Sequence, residues 1–309
     1  MKIVFLDAAT LGETPLDEIA ALGDLVCYPF SSREEALERV VDCDVLIVNK
    51  IHVDEELLSR APRLRLICET ATGMNNIDLE AAASRGIPVR NAVGYSTESV
   101  VQTTFAHLLS LAGFSPYFDD CVKRGRYSAG KMFCDISHPY PELSGKTLGI
   151  IGMGTIGTRV ASVADAFGMQ VIYYSTSGTS HNRDYPSVSL EELLARADVV
   201  SVHAPLNAHT AGLIGAAELR RMKPSAFLLN LGRGGIVDEA ALAEAVDAGV
   251  IAGAALDVYV SEPLPADSPL LHVRHPERFR FTPHIAWASR EALHRLVHQV
   301  AENIRGAGL

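Results

Sequence analysis

Short apolar runs recur along this chain, separated by longer stretches in which acids and alanines fall at helical spacing. In the first third the runs are Ile3–Leu6, Leu25–Tyr28, Val45–Val48, Leu64–Cys68 and Pro88–Arg90. Between them, Ser32–Val41 and Leu79–Arg85 carry the helical pattern. Runs this short and this uniformly apolar predict strands buried on both faces. Their alternation with helices predicts a parallel sheet with helices on both sides. Gly86 closes one helical segment and Pro88 opens the next strand, as helix stop signals should.

The texture changes near Ser96. Ser96-Thr-Glu-Ser-Val predicts a helix start, with a hydroxyl and an early acid, and leads into the apolar helix Val100–Leu111. Ser128–Gly145, punctuated by Gly130, Pro139 and Pro141, reads as a linker. A second alternating series follows: Thr147–Ile151, Gln170–Tyr174, Val199–Val202, Ala226–Leu231, Ala252–Leu256 and Phe279–Thr282. Six strands with helices between them predict a complete doubly wound sheet. The last segment, Ser289–Arg305, is a helix with Leu293, Leu296, Val297 and Val300 on one stripe. Left over after that sheet, it is expected to pack back on the first domain, giving two crossings near residues 97 and 286. The predicted class is α/β with two doubly wound parallel-sheet domains. One comprises residues 1–98 and 287–309, and the other, inserted in it, residues 99–286.

At 309 residues two domains are also what core size predicts. Hydrophobic residues make up 48% and charged residues 21%, an ordinary globular balance. The formal net charge of −10 argues against nonspecific nucleic-acid or anionic-membrane binding, which need basic surface. The N-terminal apolar run is too short for a signal peptide, and no stretch has the apolar length of a membrane span. The five cysteines (Cys27, Cys43, Cys68, Cys121, Cys134) include no C-x-x-C pair. Cys27 and Cys68 fall in or beside strand-like runs, where a free thiol serves as a small hydrophobe. A reduced, cytoplasmic setting is expected.

Gly152-Met-Gly-Thr-Ile-Gly places G-x-G-x-x-G between a strand and the helical pattern Thr158–Phe167. Gly152 permits the tight turn, Gly154 lets backbone approach a pyrophosphate, and Gly157 lets helix and strand pack closely. The N–H groups of Thr155 and Ile156 then face negative charge. The acid that usually holds the adenosine ribose about 20 residues further on is replaced by Ser175, followed by Thr176 and Ser177. Hydroxyls, with His181 and Arg183 nearby, accept a 2′-phosphate that a carboxylate would repel. The expected cofactor is NADP or NAD, leaning to NADP; a surface loop that accepts either is the bland alternative.

Ligands of open α/β sheets lie beyond the carboxyl ends of the strands. In the second series those ends run into Gly232-Arg233-Gly234-Gly235, into Asp257 with Glu262-Pro263 soon after, and into Pro283-His284. An arginine, a carboxylate and a histidine there suit reduction of a keto acid. A guanidinium can bind carboxylate and carbonyl oxygens together. A histidine delivers a proton near neutral pH. A carboxylate on the far ring nitrogen fixes the tautomer and stabilises the imidazolium. Arg233, His284 and Glu262 are assigned these roles; Asp257 could equally be a loop cap. His294 and His298 lie one helical turn apart without a third ligand, and Cys134 and His138 lack partners at metal spacing, so no metal is expected.

Taken together, Gly152-Met-Gly-Thr-Ile-Gly, His203-Ala-Pro-Leu-Asn, Asn230-Leu-Gly-Arg-Gly-Gly-Ile-Val-Asp-Glu, Leu256-Asp-Val, Glu262-Pro and Thr282-Pro-His-Ile resemble the D-isomer-specific 2-hydroxyacid dehydrogenases. The resemblance runs over nearly the whole chain in family order. It implies a Rossmann cofactor domain inserted in a flavodoxin-like substrate domain, with the active site in the cleft between them. It implies substrate binding by Arg233, acid/base work by His284 paired to Glu262, and Asp257 at the nicotinamide end. Met153, Pro205 and Leu231 join the cofactor contacts, and Thr72 and Gly73, in Ala71-Thr-Gly-Met-Asn-Asn-Ile-Asp, offer backbone N–H groups to the substrate carboxylate. It also implies a homodimer through the cofactor domain, including the helix matching Val100–Leu111. Gly94-Tyr-Ser-Thr-Glu-Ser-Val and Ile285-Ala-Trp-Ala-Ser look most like glycerate dehydrogenases, or hydroxypyruvate reductases. The expected reaction is reversible reduction of hydroxypyruvate or glyoxylate. The alternatives are a D-lactate-type dehydrogenase for larger 2-keto acids and a dinucleotide-sensing corepressor. Met74 and Lys131–Ser137 leave the pocket's shape open.

Overall fold

The computed structural model describes residues 1–179 and 182–309; His181, one of the two cations weighed for a 2′-phosphate, lies outside the described residues. In chain order the first elements are β1 (Lys2–Phe5), α1 (Asp17–Ala20), β2 (Asp24–Cys27), α2 (Arg33–Arg39), β3 (Val45–Val48), α3 (Glu55–Arg60), β4 (Leu66–Glu69), α4 (Leu79–Ser84) and β5 (Val89–Arg90). Then come α5 (Thr97–Ala112), α6 (Ser115–Lys123), β6 (Thr147–Ile151), α7 (Thr155–Ala166), β7 (Gln170–Tyr174), α8 (Leu190–Arg196) and β8 (Val199–Val202). The chain closes with α9 (Ala216–Leu219), β9 (Phe227–Asn230), α10 (Glu239–Asp247), β10 (Gly253–Leu256), β11 (Phe279–Phe281) and α11 (Arg290–Arg305). It divides into two compact units, Met1–Ser96 with Ala288–Leu309, and Thr97–Trp287.

The first unit has a five-stranded sheet in the order β2-β1-β3-β4-β5, every pairing parallel. Val4 and Leu6, Leu46 and Val48, and Ile67 face α2, α3 and α4 through Ala36, Val40, Leu57, Leu58 and Ala82. The other face is covered by α11, which buries Leu296, Val297, Val300, Ala301 and Ile304 against β4 and α1. Side chains at Ser32, Asp54 and Asp78 cap α2, α3 and α4, each accepting a backbone N–H three residues on. β2 is an edge strand and leaves Cys27 exposed, so that thiol is not the buried hydrophobe its strand suggested; Cys68 on β4 is.

The second unit has six parallel strands in the order β11-β10-β9-β8-β6-β7. Both faces are buried, and alternate residues serve opposite layers. Val200, Val202, Leu228, Ala254 and Leu256 point to the layer of α8, α9 and α10. Leu148, Ile150, Val199, Leu229 and Ala255 point to the layer of α5 and α7. The chain leaves β6 for β7 on one side and reaches β8 on the other. This switch point opens a crevice at the carboxyl ends of β6 and β8. The segment between α6 and β6 contains no helix or strand. No helix among the described residues is long and apolar enough to cross a membrane.

Candidate active site

The glycine loop lies at the switch point. Gly152 follows β6 with φ +94, and a Cβ there would come within 2.8 Å of the Ala204 nitrogen on the loop after β8. A Cβ at Gly157 would come within 2.3 Å of the Gly152 carbonyl, so α7 can sit on the strand end only with glycine there. Gly154 differs: nothing lies within 4 Å of its Cβ direction. The loop is thus tight where it touches protein and open where a ligand would approach. Gly154 is the N-cap and α7 begins at Thr155, three residues ahead of the helical pattern at Thr158. No side chain caps α7, and the Thr155 and Ile156 N–H groups have no acceptor among the described residues. That set of donors fits a pyrophosphate.

Ser175 follows β7, and its hydroxyl donates to the Thr179 carbonyl at 2.7 Å, with Ser177 donating to the same oxygen at 3.1 Å. The loop through Thr176 therefore folds on its own hydroxyls, and Arg183 beyond it is exposed. After β8, His203 places its Nε2 2.8 Å from the Ser201 hydroxyl, and burial drives its pKa down to about 4, leaving a neutral ring. Pro205 is exposed beside it, and Met153 and Ile156 pack partly into the α5–α7 layer. Leu231 departs from expectation. Its side chain is 6% exposed within the core, so only its backbone can meet a ligand.

Neighbouring strands β9, β10 and β11 deliver the three predicted polar residues. Asn230, buried at the end of β9, clamps the loop that follows. Its amide donates to the Arg233 carbonyl at 3.0 Å and its oxygen accepts from Gly232 N at 3.1 Å. A Cβ at Gly234 would sit 1.8 Å from the Tyr259 carbonyl, so this loop and the one after β10 are in direct backbone contact. The half-buried Arg233 guanidinium donates to the Gly232 carbonyl at 2.9 Å and has no carboxylate partner among the described residues. It is a cation available to an anionic ligand.

His284 and Glu262 meet. Nδ1 of His284 donates to Oε2 of Glu262 at 2.7 Å, with side chains 21% and 29% exposed. Oε1 of Glu262 accepts the Tyr259 N–H at 3.0 Å, which fixes the carboxylate from behind; the Glu262-Pro263 bond is cis. The contact leaves Nε2 of His284 for a reacting oxygen.

His284 has φ 54, an uncommon conformation for a side chain-bearing residue, in a turn closed by its N–H to the Thr282 carbonyl at 3.0 Å. Asp257 holds that turn. Fully buried, it accepts the Thr282 hydroxyl at 2.6 Å and the N–H groups of Ile285 and Ala286, both at 2.9 Å. Of its two sequence readings, the loop cap is the one whose contacts are present. Because Thr282 gives its proton to Asp257, His107 Nε2, 3.0 Å from the same hydroxyl, must be the donor to it. Trp287 donates from Nε1 to the His284 carbonyl at 2.8 Å. Sequence reasoning missed Tyr259, Thr282, His107 and Trp287. His107, in an apolar helix, gave no signal beyond being polar in a core pattern.

In the first unit, the turn after β4 contains Thr72 and Gly73. The Thr72 hydroxyl donates to the Ala92 carbonyl at 2.8 Å, and the Asn91 amide donates to the Thr72 carbonyl at 2.7 Å. The N–H groups of Thr72 and Gly73 have no acceptor among the described residues. Adjacent free donors of this kind suit an anion. Elsewhere, His294 is exposed, and exposed His298 donates from Nδ1 to Glu18 at 2.8 Å.

The sequence profile for D-isomer specific 2-hydroxyacid dehydrogenase, NAD binding domain, matches residues 105–286. A hydroxypyruvate reductase of Blautia hydrogenotrophica is 35% identical over 98% of this chain and 96% of its own. The D-lactate dehydrogenase of Aquifex aeolicus, solved with NAD and lactic acid, superposes with a TM-score of 0.85 at 29% identity, covering 98% of this chain and 94% of that one. An NADPH-dependent glyoxylate/hydroxypyruvate reductase of Sinorhizobium meliloti, solved with citrate, gives 0.84 at 26%, covering 99% and 94%. With the dinucleotide loop and the paired histidine and carboxylate in place, these likenesses assign the chain to the D-isomer specific 2-hydroxyacid dehydrogenases, the NAD(P)-dependent oxidoreductases that interconvert 2-keto and 2-hydroxy acids.

Proposed function

We propose that this enzyme reduces hydroxypyruvate or glyoxylate to the D-2-hydroxy acid, with Arg233, Glu262 and His284 as its working groups. The observation that carries the reading is the 2.7 Å contact between His284 Nδ1 and Glu262 Oε2. A histidine so held presents Nε2, and as the imidazolium it can give that proton to a ketone oxygen as charge develops there. Glu262 stabilises the cation until the proton leaves. Arg233 binds the substrate carboxylate and polarises the carbonyl. The N–H groups of Thr72 and Gly73 take a share of the carboxylate's charge. When bound, the dihydronicotinamide supplies the hydride to the carbonyl carbon, and in the oxidative direction His284 takes the proton back.

Residues 99–286 are assigned to the dinucleotide, and residues 1–98 with 287–309 to the substrate. Gly152, Met153, Gly154, Thr155, Ile156 and Gly157 hold the pyrophosphate. Ser175, Thr176 and Ser177 meet the ribose, and Pro205 and the Leu231 backbone line the nicotinamide end, with Asp257 acting from behind by holding the His284 turn. NADP is favoured over NAD because Ser175 brings no negative charge to the end of β7. A homodimer through the cofactor domain is supported by the exposed apolar side chains Met132, Phe133, Ile136 and Tyr140 after α6. A cytoplasmic setting fits five cysteines that are all free.

The test is oxidation of NADPH and NADH at 340 nm with a panel from glyoxylate and hydroxypyruvate to pyruvate and phenylpyruvate. Preference for the two smallest polar acids is expected. Preference for the larger acids shifts the reading to a D-lactate-type enzyme, and no turnover with any of them refutes it.

A further inference from the structure

The first unit buries a carboxyl group that the reaction above leaves unused. Glu69 ends β4 and is 0% exposed. Its Oε2 accepts from the Asn76 side-chain amide at 3.0 Å, and Oε1 has no hydrogen-bond partner among the described residues. The same amide reaches the Ile51 carbonyl at 3.1 Å, while the Asn76 carbonyl accepts Val53 N at 2.8 Å. Asn76 therefore ties the far end of the turn to the segment leaving β3, and Glu69 ties its near end to Asn76. Between the two lie Thr72 and Gly73 with their free N–H groups.

The charge state of Glu69 follows from its neighbours. Asp7, just past β1, accepts backbone N–H groups from Asn49, Lys50 and Ile51 at 3.0, 2.6 and 3.2 Å. Those donors support a negative charge there, although burial lifts Asp7 above the ordinary carboxylate range. Glu69 has one amide donor and a second carboxylate nearby. Burial foremost, with Asp7 adding and Lys50 and Asn76 opposing, pushes its pKa up to about 8. The face that α11 lays on β4 is apolar and adds no charge. At neutral pH Glu69 is an uncharged acid.

We infer that Glu69 is a positioning residue for the 2-keto acid: through Asn76 it closes the turn from residue 70 to 76 and so sets the spacing of the Thr72 and Gly73 N–H groups. This rests on the reading of those two residues as carboxylate binders. Uncharged, Glu69 braces the turn without repelling an anion. Ionised, it sets a buried negative charge behind it.

The experiment measures KM and kcat for hydroxypyruvate, and the dissociation constant of NADPH, for wild type, Glu69→Leu and Glu69→Gln between pH 6.5 and 9.5. Glu69→Leu is expected to raise KM about tenfold, the weight of one hydrogen bond, with kcat and NADPH affinity nearly unchanged. Gln, an uncharged isostere, should restore the wild-type KM at pH 7. Wild-type KM should climb above pH 8 relative to that of Glu69→Gln, and because every other ionisable group is common to both, the ratio isolates Glu69. Equal KM for wild type and Leu, or parallel pH profiles for wild type and Gln, overturns the inference while leaving the catalytic reading intact. If the Leu variant does not fold, the wild-type and Gln profiles decide alone. A wild type that reduces no keto acid refutes the catalytic reading and this inference with it.

Discussion

Replacing Glu69 by glutamine should make the protein more stable, and only in a defined pH window. In the folded chain burial pushes the Glu69 carboxyl up to about 8, against 4.5 for an ordinary glutamate. A raised folded pKa means that the native state holds the proton more tightly than the unfolded chain. The associated stability is complete below about 4.5 and drains away as pH rises to about 8. At 1.36 kcal/mol per unit, the interval sets a ceiling on the order of 5 kcal/mol, with partial relaxation around the site lowering it. Glutamine carries no such proton. The stability of Glu69→Gln relative to wild type should therefore be near zero at pH 5, grow through pH 6.5 and level off above pH 8. The chain has two compact units, so the assay should be local: native-state hydrogen exchange, read on peptides covering β3 and β4, under mild denaturant at the three pH values. A pH-independent difference, or a glutamine variant less stable than wild type at pH 8.5, would refute a neutral buried acid.

Four other outcomes follow from the geometry. His284→Ala should lower kcat by about 10²–10⁴-fold, the usual share of a positioned general acid, with NADPH affinity unchanged in a fluorescence titration. Arg233→Lys should cost roughly 1.5–3 kcal/mol of transition-state binding in kcat/KM, because an ammonium cannot reproduce the planar fork. Gly234→Ala should destabilise by about 3 kcal/mol in thermal or urea unfolding, since its Cβ would lie 1.8 Å from the Tyr259 carbonyl. Ser175→Asp should move the NADPH/NADH ratio of kcat/KM toward NADH by about tenfold, or 1.4 kcal/mol.

Most strands were legible because they are buried on both sides and read as short, largely apolar runs; the edge strand β2 is less buried. Val45–Val48, Thr147–Ile151 and Val199–Val202 match to the residue. The trio at the strand ends was legible for a related reason: ligands of open α/β sheets lie beyond the carboxyl ends of the strands, so ionisable residues there are candidates. The misses share a different cause. The helical side-chain pattern starts at Thr158, whereas the backbone is helical from Thr155, where the free N–H groups already put the helix start, as soon as Gly154 has capped it. The helix α6 shows no clear apolar stripe, since Tyr117-Phe118 is followed at once by Asp119-Asp120, although Pro116 in its first turn is a usable signal. The apolar run of β4 ends at Cys68 while the strand runs on to Glu69, since nothing local in sequence reveals that a carboxyl will be buried there. The left-handed turn at His284 depends on Asp257, 27 residues earlier, and no window of sequence contains both.

Both sheets are wound on the same plan, and each opens a crevice where its connections diverge, yet only one carries a glycine loop there. In the first unit that crevice lies at the ends of β1 and β3, and the Asp7 carboxylate fills it, occupying the three N–H groups of residues 49–51. The chain has supplied its own anion. A foreign phosphate arriving there would meet donors already satisfied and a negative charge in its path. In the second unit the loop after β6, the counterpart of β1, carries glycine where Asp7 stands in the first, and the donors it leads to at Thr155 and Ile156 are unspent. Two sheets wound alike thus differ at their crevices: one is closed by an acid of the chain itself, and the other leaves its donors to a ligand.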